Sequence, residues 1–174
     1  LLASAVAVGR TFACALLLQP QEGTLVKCWG EGAALQAPAI TDAVEVVAGD
    51  SHACVRSSLG AVTCWGEALH AAPGALVAKA LAASGAMSCA IAGDDSVRCW
   101  GVRPAEPPAA LRAQRIAVSS QLTDAQLGPR FGCAVSLTGD VSCWGDDPGG
   151  VQAVPVGLKA KAVAAGRSLS LIHI

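Results

Sequence analysis

The tripeptide Cys-Trp-Gly occurs four times in this 174-residue chain. The copies are Cys28-Trp29-Gly30, Cys64-Trp65-Gly66, Cys99-Trp100-Gly101 and Cys143-Trp144-Gly145, and they take up all four tryptophans and half of the eight cysteines. Successive copies are 36, 35 and 44 residues apart. Self-similarity at a period of roughly 20–50 residues marks a repeat architecture, whose units are each too small to bury a core alone. Any fold for this chain must therefore place four equivalent units side by side.

The other four cysteines fall into the same frame. Cys54, Cys89 and Cys133 each precede their C-W-G cysteine by ten residues, and Cys14 precedes Cys28 by fourteen. An even separation centres on a single residue, so a hairpin here has an odd-numbered loop. A three-residue loop would be Ser58-Leu59-Gly60, Gly93-Asp94-Asp95 and Leu137-Thr138-Gly139. Its last position is left-handed, which favours Gly and tolerates Asp. In that register the two cysteines face each other across antiparallel strands, about 4.5–5.5 Å apart, within disulfide reach.

The reading preferred is one staple per hairpin, each worth roughly 2–3 kcal/mol in the chain-entropy model. Three other readings stay open. A zinc site would favour C-x2-C pairs or histidine partners, but there is no C-x2-C, and His52, His70 and His173 are the only histidines. A C-x9-C pair also staples helical hairpins, although the flanks here alternate (Val55, Ser57, Ala61, Thr63) as strands do. Reduced thiols packed as small hydrophobes are the last.

Each copy opens on a strand of small residues ending near a glycine: "AVAVG" (5–9), "VEVVAG" (44–49), "ALAASG" (80–85) and "AVAAG" (162–166). The first cysteine strand, the turn, the C-W-G strand and a proline-bearing loop follow. Three or four short strands per ~36 residues read as all-β. The Ala-rich "GALVAKALAAS" (74–84) has helix propensity, but its place in the repeat outweighs that weak preference.

The sequence is 53% hydrophobic yet only 14% charged, with a net charge of −1. No basic field exists to hold phosphates, so nucleic acid is not an expected partner. The longest uncharged stretch, Ala80–Gly93, is too short for the ~20 residues of a spanning helix. Four cysteine pairs would place the chain in an oxidising compartment, outside the cell or at its surface, with the cytoplasm as the alternative. No charged-then-apolar leader is read in the sequence.

"GDSHACVRSSLGAVTCWG" and "RFGCAVSLTGDVSCWG" follow the pattern G-x-x-x-x-C-x9-C-W-G. They resemble repeats of the regulator-of-chromosome-condensation type, in the short, cysteine-bearing variety. The resemblance implies an all-β β-propeller, typically of seven four-stranded blades, in which radial repetition leaves only short protected edges. Approximate copies run over 1–38, 39–74, 75–108 and 109–155, with a partial fifth over 156–166. That is about four blades of an incomplete ring, since seven at this period need about 250 residues, so the chain reads as a fragment. Three departures stand out. "EGAALQ" and "EALHAA" replace the family's glycine-rich run after C-W-G. Ser84, not glycine, lies five residues before Cys89. Residues 167–174, "RSLSLIHI", break the frame and are set aside as a non-native tail.

Catalytic signatures are missing: there is no G-x-S-x-G, P-loop, Rossmann fingerprint or H-E-x-x-H. His52 is read as a packed structural histidine, because as a base it has no recurrent nucleophile beside it. His70 is read as a solvated loop residue. Asp94-Asp95 and Asp146-Asp147 are read as turn carboxylates, with weak calcium contact as the alternative. Arg103, Arg112 and Arg115 are read as a solvated face. Trp29, Trp65, Trp100 and Trp144 are expected to pack between neighbouring blades rather than to anchor a partner. No metal, cofactor or small-molecule substrate is expected.

Differences between copies point to function. "SQLTDAQLGP" (120–129) lengthens the fourth copy by nine residues. Insertions in repeat proteins gather on one face, often the binding face. Gln121, Leu122, Asp124 and Gln126 are the candidate contacts, and "LLLQPQEG" in the first hairpin is a second insertion. The leading expectation is a non-enzymatic propeller that binds a protein partner outside the cell. The alternatives are an exchange factor for a small GTPase, as in the family's namesake, or a structural segment of a larger protein such as a ubiquitin ligase. Fold alone does not choose among them.

Overall fold

The computed structural model describes residues 2–19, 23–66, 71–122, 127–146, 150, 153–166 and 170–173. They form four three-stranded antiparallel sheets and one two-stranded sheet, each of strands consecutive in sequence. Blade 1 is β1 (Leu2–Val8), β2 (Phe12–Gln19) and β3 (Gly23–Gly30). Blade 2 is β4 (Ala43–Ala48), β5 (His52–Ser57) and β6 (Val62–Gly66). Blade 3 is β7 (Ala78–Ser84), β8 (Met87–Ala92) and β9 (Val97–Gly101). Blade 4 is β10 (Ala113–Leu122), β11 (Leu127–Ser136) and β12 (Val141–Gly145). A fifth sheet pairs β13 (Ala162–Ala165) with β14 (Ser170–His173). The arrangement is an incomplete β-propeller. Among the described residues the one helical element is a 3-10 turn at Ala33–Leu35, and "GALVAKALAAS" supplies β7.

The turn chemistry appears where the cysteine spacing puts it. Ser57 and Ala61, Ala92 and Ser96, and Ser136 and Asp140 close three-residue loops through N–H···O bonds of 2.8–2.9 Å. The last loop residues are left-handed, with φ of 89° at Gly60, 66° at Asp95 and 86° at Gly139. Cys54 lies opposite Cys64, Cys89 opposite Cys99, Cys133 opposite Cys143 and Cys14 opposite Cys28. All four pairs are disulfide-bonded, with Cα atoms 4.0 Å apart. Within each pair the first cysteine is fully buried.

The glycine of C-W-G has a steric reason. At Gly30, Gly66, Gly101 and Gly145 φ lies between 103° and 115°. A Cβ there would stand 2.2–2.4 Å from the carbonyl oxygen of Thr11, Ser51, Ala86 or Arg130, each next before the residue that faces the glycine on the neighbouring strand. Only glycine lets the strand end so close to its partner.

Among the described residues each blade has three strands where the family resemblance implies four. Among the described residues the connection that follows each blade touches it at the isolated bridges Ala61–Val77, Ser96–Arg112 and Asp140–Lys159, and at the bond from Thr24 N–H to Thr41 O (2.7 Å). Pro38, Pro73, Pro107-Pro108 and Pro155 sit in those connections, and proline cannot donate to a ladder.

The first strand of each complete blade carries an irregularity of register near its start, between Ala3 and Ala5, Ala43 and Glu45, Ala78 and Ala80, and Ala113 and Arg115. A bulge of this kind raises the local twist. The first strands of successive blades pack on one another and so line the axis. Their small side chains let them approach, and the buried core lies between blades. Phe12, Cys14 and Leu16 of blade 1 meet Ala53 and Val55 of blade 2. Cys54 of blade 2 meets Leu81, Ala90 and Trp100 of blade 3. Met87, Cys89 and Ile91 of blade 3 meet Val118 and Trp144 of blade 4.

Ser170–His173, within the segment set aside as a tail, adds to the open edge of β13. An exposed strand edge accepts any apolar extended segment.

Candidate functional site

The described connections between first and second strands lie at one end of the blades. There Val8, Gly9, Arg10, Gly49, Asp50, Ser84, Gly85, Ser119, Ser120, Ala165 and Gly166 surround an open depression of about 540 Å³ on the axis. Five successive units contribute to this mouth, and most of the residues they bring to it are Gly, Ala or Ser.

The rim is stitched from blade to blade. Arg10 N–H donates to Asp50 O (3.3 Å), and Asp50 N–H donates to Gly85 O (2.7 Å). Ser120 N–H donates to Ser84 Oγ (3.3 Å). Close approach is again steric, since a Cβ on Gly49 would lie 2.6 Å from Gly85 O. Burial pushes the Asp50 carboxyl above its ordinary value, and the nearby Arg10 guanidinium partly opposes that shift. The mouth thus offers backbone groups, serine hydroxyls and one charge of each sign on rigid strand ends. Such a surface suits hydrogen-bonded recognition.

The fourth-copy insertion springs from this rim. It is absorbed as ladder: β10 and β11 have ten residues each and pair out to Leu122–Leu127, with a second irregularity between Ser120 and Leu122. Gln121 and Leu122 end β10, while Asp124 and Gln126 lie outside the described residues. The first-hairpin insertion is also absorbed as ladder. Leu17–Leu25, Leu18–Thr24 and Gln19–Gly23 continue the register past the position where the other hairpins turn. It extends the opposite end of its blade, because β2 runs away from the mouth. The two insertions do not share a face.

His52 is fully buried, with Nε2 2.7 Å from Ser88 Oγ on the next blade. In the sequence no recurrent nucleophile stands beside this histidine. The tertiary structure supplies a serine at catalytic distance, but Ser88 is 1% exposed and lies 3.8 Å from the Cys54 sulfur. The pair is sealed between blades 2 and 3 and acts there as a polar link. Phe12, Met87 and Phe131 fill the same repeat position in the other blades, all buried.

Three of the four indoles lie against the preceding blade. Trp65 Nε1 donates to Ala34 O (2.8 Å) and Trp144 Nε1 to Ala105 O (3.2 Å). Trp100 packs with Cys54, Val62 and Cys64 of blade 2. Trp29 is 51% exposed.

Among the carboxylates, Asp94 accepts from Ser96 Oγ (2.6 Å) and Ser96 N–H (3.1 Å), and Asp95 pairs with Lys79 (2.6 Å). Asp146 pairs with Arg130 (3.2 Å). Asp147 and His70 lie outside the described residues, and nothing is described of the His173 side chain. No group of three or more His, Cys, Asp or Glu able to hold a metal occurs among the described residues. Arg112 and Arg115 bond backbone carbonyls of their own segments, and the Arg103 carbonyl accepts from Arg130. Among the described residues no helix is long and apolar enough to cross a membrane.

No protein-family model matches the chain, and no curated protein does. Solved structures do. The CRINKLY WD40 ectodomain of the receptor kinase ACR4 from Arabidopsis thaliana is similar at TM-score 0.69 and 25% identity, over 93% of this chain and 55% of that one. The entire ectodomain of the receptor kinase CR4 from Physcomitrella patens is similar at TM-score 0.69 and 20% identity, over 97% and 47%. Prp20p from Saccharomyces cerevisiae, a protein with binding properties to Gsp1p and histones, is similar at TM-score 0.67 and 12% identity, over 97% and 55%. The chain thus spans about half the length of these structures. They share its propeller fold.

Proposed function

We propose that this chain is a non-enzymatic interaction module built of regulator-of-chromosome-condensation-type repeats, and that it binds a protein partner outside the cell through the axial mouth. The observation that carries this reading is the β10–β11 hairpin, which lengthens the rim of the depression at one blade only. Binding residues concentrate on such connections above a rigid scaffold. Gln121, Leu122, Asp124 and Gln126 are the proposed contacts. Four disulfides and the likeness to two receptor-kinase ectodomains support the extracellular setting.

The test is a variant in which residues 121–129 are replaced by a two-residue Asn-Gly turn between the paired Ser120 and Arg130. Wild type and variant are screened against an array of purified extracellular proteins. A partner that binds the wild type and loses the variant, with the melting temperature unchanged, supports the reading. Equal binding by both would remove the mouth as the site. Likeness to Prp20p favours a second reading, nucleotide exchange on a small GTPase. Accelerated nucleotide release from a GTPase panel by the disulfide-bonded chain would replace the first reading with this one.

A further inference from the structure

The backbone of the axial mouth has used its donors and kept its acceptors. On the rim the N–H groups of Gly9, Arg10, Gly49 and Asp50 donate to Phe12 O, Asp50 O, His52 O and Gly85 O, and that of Ser120 donates to Ser84 Oγ. The Ser84 hydroxyl in turn donates to Ser120 O (3.5 Å). A carbonyl oxygen has two lone pairs. Asp50 O and Gly85 O each take one rim bond and can accept a second.

Two side chains in the same cavity lack partners. The Asp50 carboxylate is half-buried and makes no hydrogen bond or close ion pair among the described residues. Burial pushes its proton affinity up, and the Arg10 guanidinium opposes that only in part. Ser120 is 6% exposed, and its Oγ has no hydrogen-bond partner among the described residues. It lies beside Gly85, where a Cβ would stand 2.8 Å from that oxygen. Buried polar groups are nearly always hydrogen-bonded, so two exceptions lining one cavity mark a binding position. An unpaired carboxylate in such a place also costs stability, the trade-off expected of a residue kept for function.

The group that satisfies a carboxylate, carbonyls and a hydroxyl together is a cation with several N–H donors. Arginine carries five and lysine three, whereas an amide side chain carries two and no charge. Bonds from such cations to a carboxylate are charge-assisted. An anion would meet Asp50 and find the rim N–H groups already engaged. The depression of about 540 Å³ falls within the roughly 300–1,000 Å³ of ligand pockets, and its open top admits a side chain carried on a loop. We infer that the mouth receives a basic side chain, arginine or lysine, from the tip of a partner protein's loop, its cationic head bonded to Asp50 and flanked by Ser120 and the rim carbonyls. This rests on the protein binding at the mouth proposed above, to which it adds the chemistry of the entering residue.

The probe is the capped peptide acetyl-Gly-Gly-Arg-Gly-Gly-amide, titrated into the isotope-labelled chain and followed by amide NMR shifts. The amides of Asp50, Gly85 and Ser120 are expected to move, and a lysine peptide should move the same three. A citrulline peptide, of the same shape without the charge, should bind on the order of tenfold more weakly, as should Asp50→Asn with the arginine peptide. Asp50→Asn keeps the fold, since it removes a buried charge, and Asp50→Glu should retain part of the binding. No movement of these amides with either basic peptide overturns the inference. So does an equal response to citrulline or glutamate peptides, or unchanged affinity in Asp50→Asn. A protein partner that loses the hairpin variant but binds Asp50→Asn as tightly as wild type overturns this inference and leaves the proposed function standing. Equal partner binding by the hairpin variant, with the peptide shifts intact, counts against the proposed function alone.

Discussion

Blades 1 and 4 are built from the same motif and end in opposite states. In blade 4, Trp144 is 4% exposed and lies over Gly132, its cross-strand neighbour, where a Cβ would stand 2.4 Å from the ring. In blade 1, Trp29 faces Ala13 across the same ladder position and is half exposed. The disulfide, the hairpin and the C-W-G glycine are common to both. What differs is the neighbour: blade 3 covers the indole of Trp144, and among the described residues no blade covers that of Trp29. The motif therefore specifies the blade, while burial of the tryptophan is a property of adjacency.

The largest effect expected from this contrast is at the two tryptophans. Trp144→Ala empties a sealed site and breaks the bond to Ala105 O, at a cost of about 3–5 kcal/mol. Trp29→Ala should cost under about 1 kcal/mol, because exposed side chains contribute little. Denaturant unfolding of both variants measures the difference. Equal losses would mean that Trp29 is buried in solution.

Next come the staples. Removing Cys133–Cys143 by a double Ala substitution should cost roughly 2–3 kcal/mol, and removing Cys14–Cys28 about as much or slightly more, because its closed loop is longer. Blade 1 should thus depend on its disulfide as strongly as blade 4 despite its bare face. A much smaller loss in blade 1 would tie the disulfide's worth to packing rather than to loop closure.

Gly132→Ala forces a Cβ against the Trp144 ring and should cost about 1–3 kcal/mol. The counterpart change, Ala13→Gly, should cost only about 0.5–1 kcal/mol through strand entropy. Thermal melts of the two variants separate the cases.

The smallest effect concerns pH. Just past C-W-G, blade 1 closes with a neutral bond from Thr11 Oγ1 to Glu31 O (3.1 Å), whereas blade 4 uses Arg130 and Asp146. The Arg130 backbone N–H, then its guanidinium, hold the Asp146 carboxyl below its ordinary value of 3.8. Lys159, then Thr138, do the same for Asp140 through hydrogen bonds. A depressed carboxyl contributes stability that is present above 3.8 and is lost as pH falls through the folded-state value. Melting temperature should therefore drop below about pH 4, and Asp146→Asn should flatten that drop slightly. Asp50 has the opposite sign. Its carboxyl is raised by burial, so ionisation opposes folding and Asp50→Asn should raise the melting temperature at neutral pH.

The spacing of Cys54 and Cys64 carried the hairpin, its loop length and the left-handed Gly60 together, because turn geometry and strand register are local and period-two alternation leaves one solution. The blade count followed from Trp29, Trp65, Trp100 and Trp144. The axial mouth was not legible. Arg10, Asp50, Ser84 and Ser120 come from four repeats and meet only because the first strands converge on the axis. The His52–Ser88 link was hidden for the same reason, since its partners are 36 residues apart on different blades. The insertions at 16–23 and 120–129 looked alike as added length. Strand direction alone decides that they leave opposite ends of the sheet.

By itself the sequence determined the unit: a stapled antiparallel hairpin preceded by a small-residue strand, its turn residues, and the glycine that lets the last strand close against its neighbour. Those features rest on short-range sterics and on covalent reach within some fifteen residues. The tertiary structure alone decided which indoles are covered, which serine meets His52, and where the rim residues assemble. Those outcomes depend on how one blade packs on the next, which the chain fixes only after each blade exists.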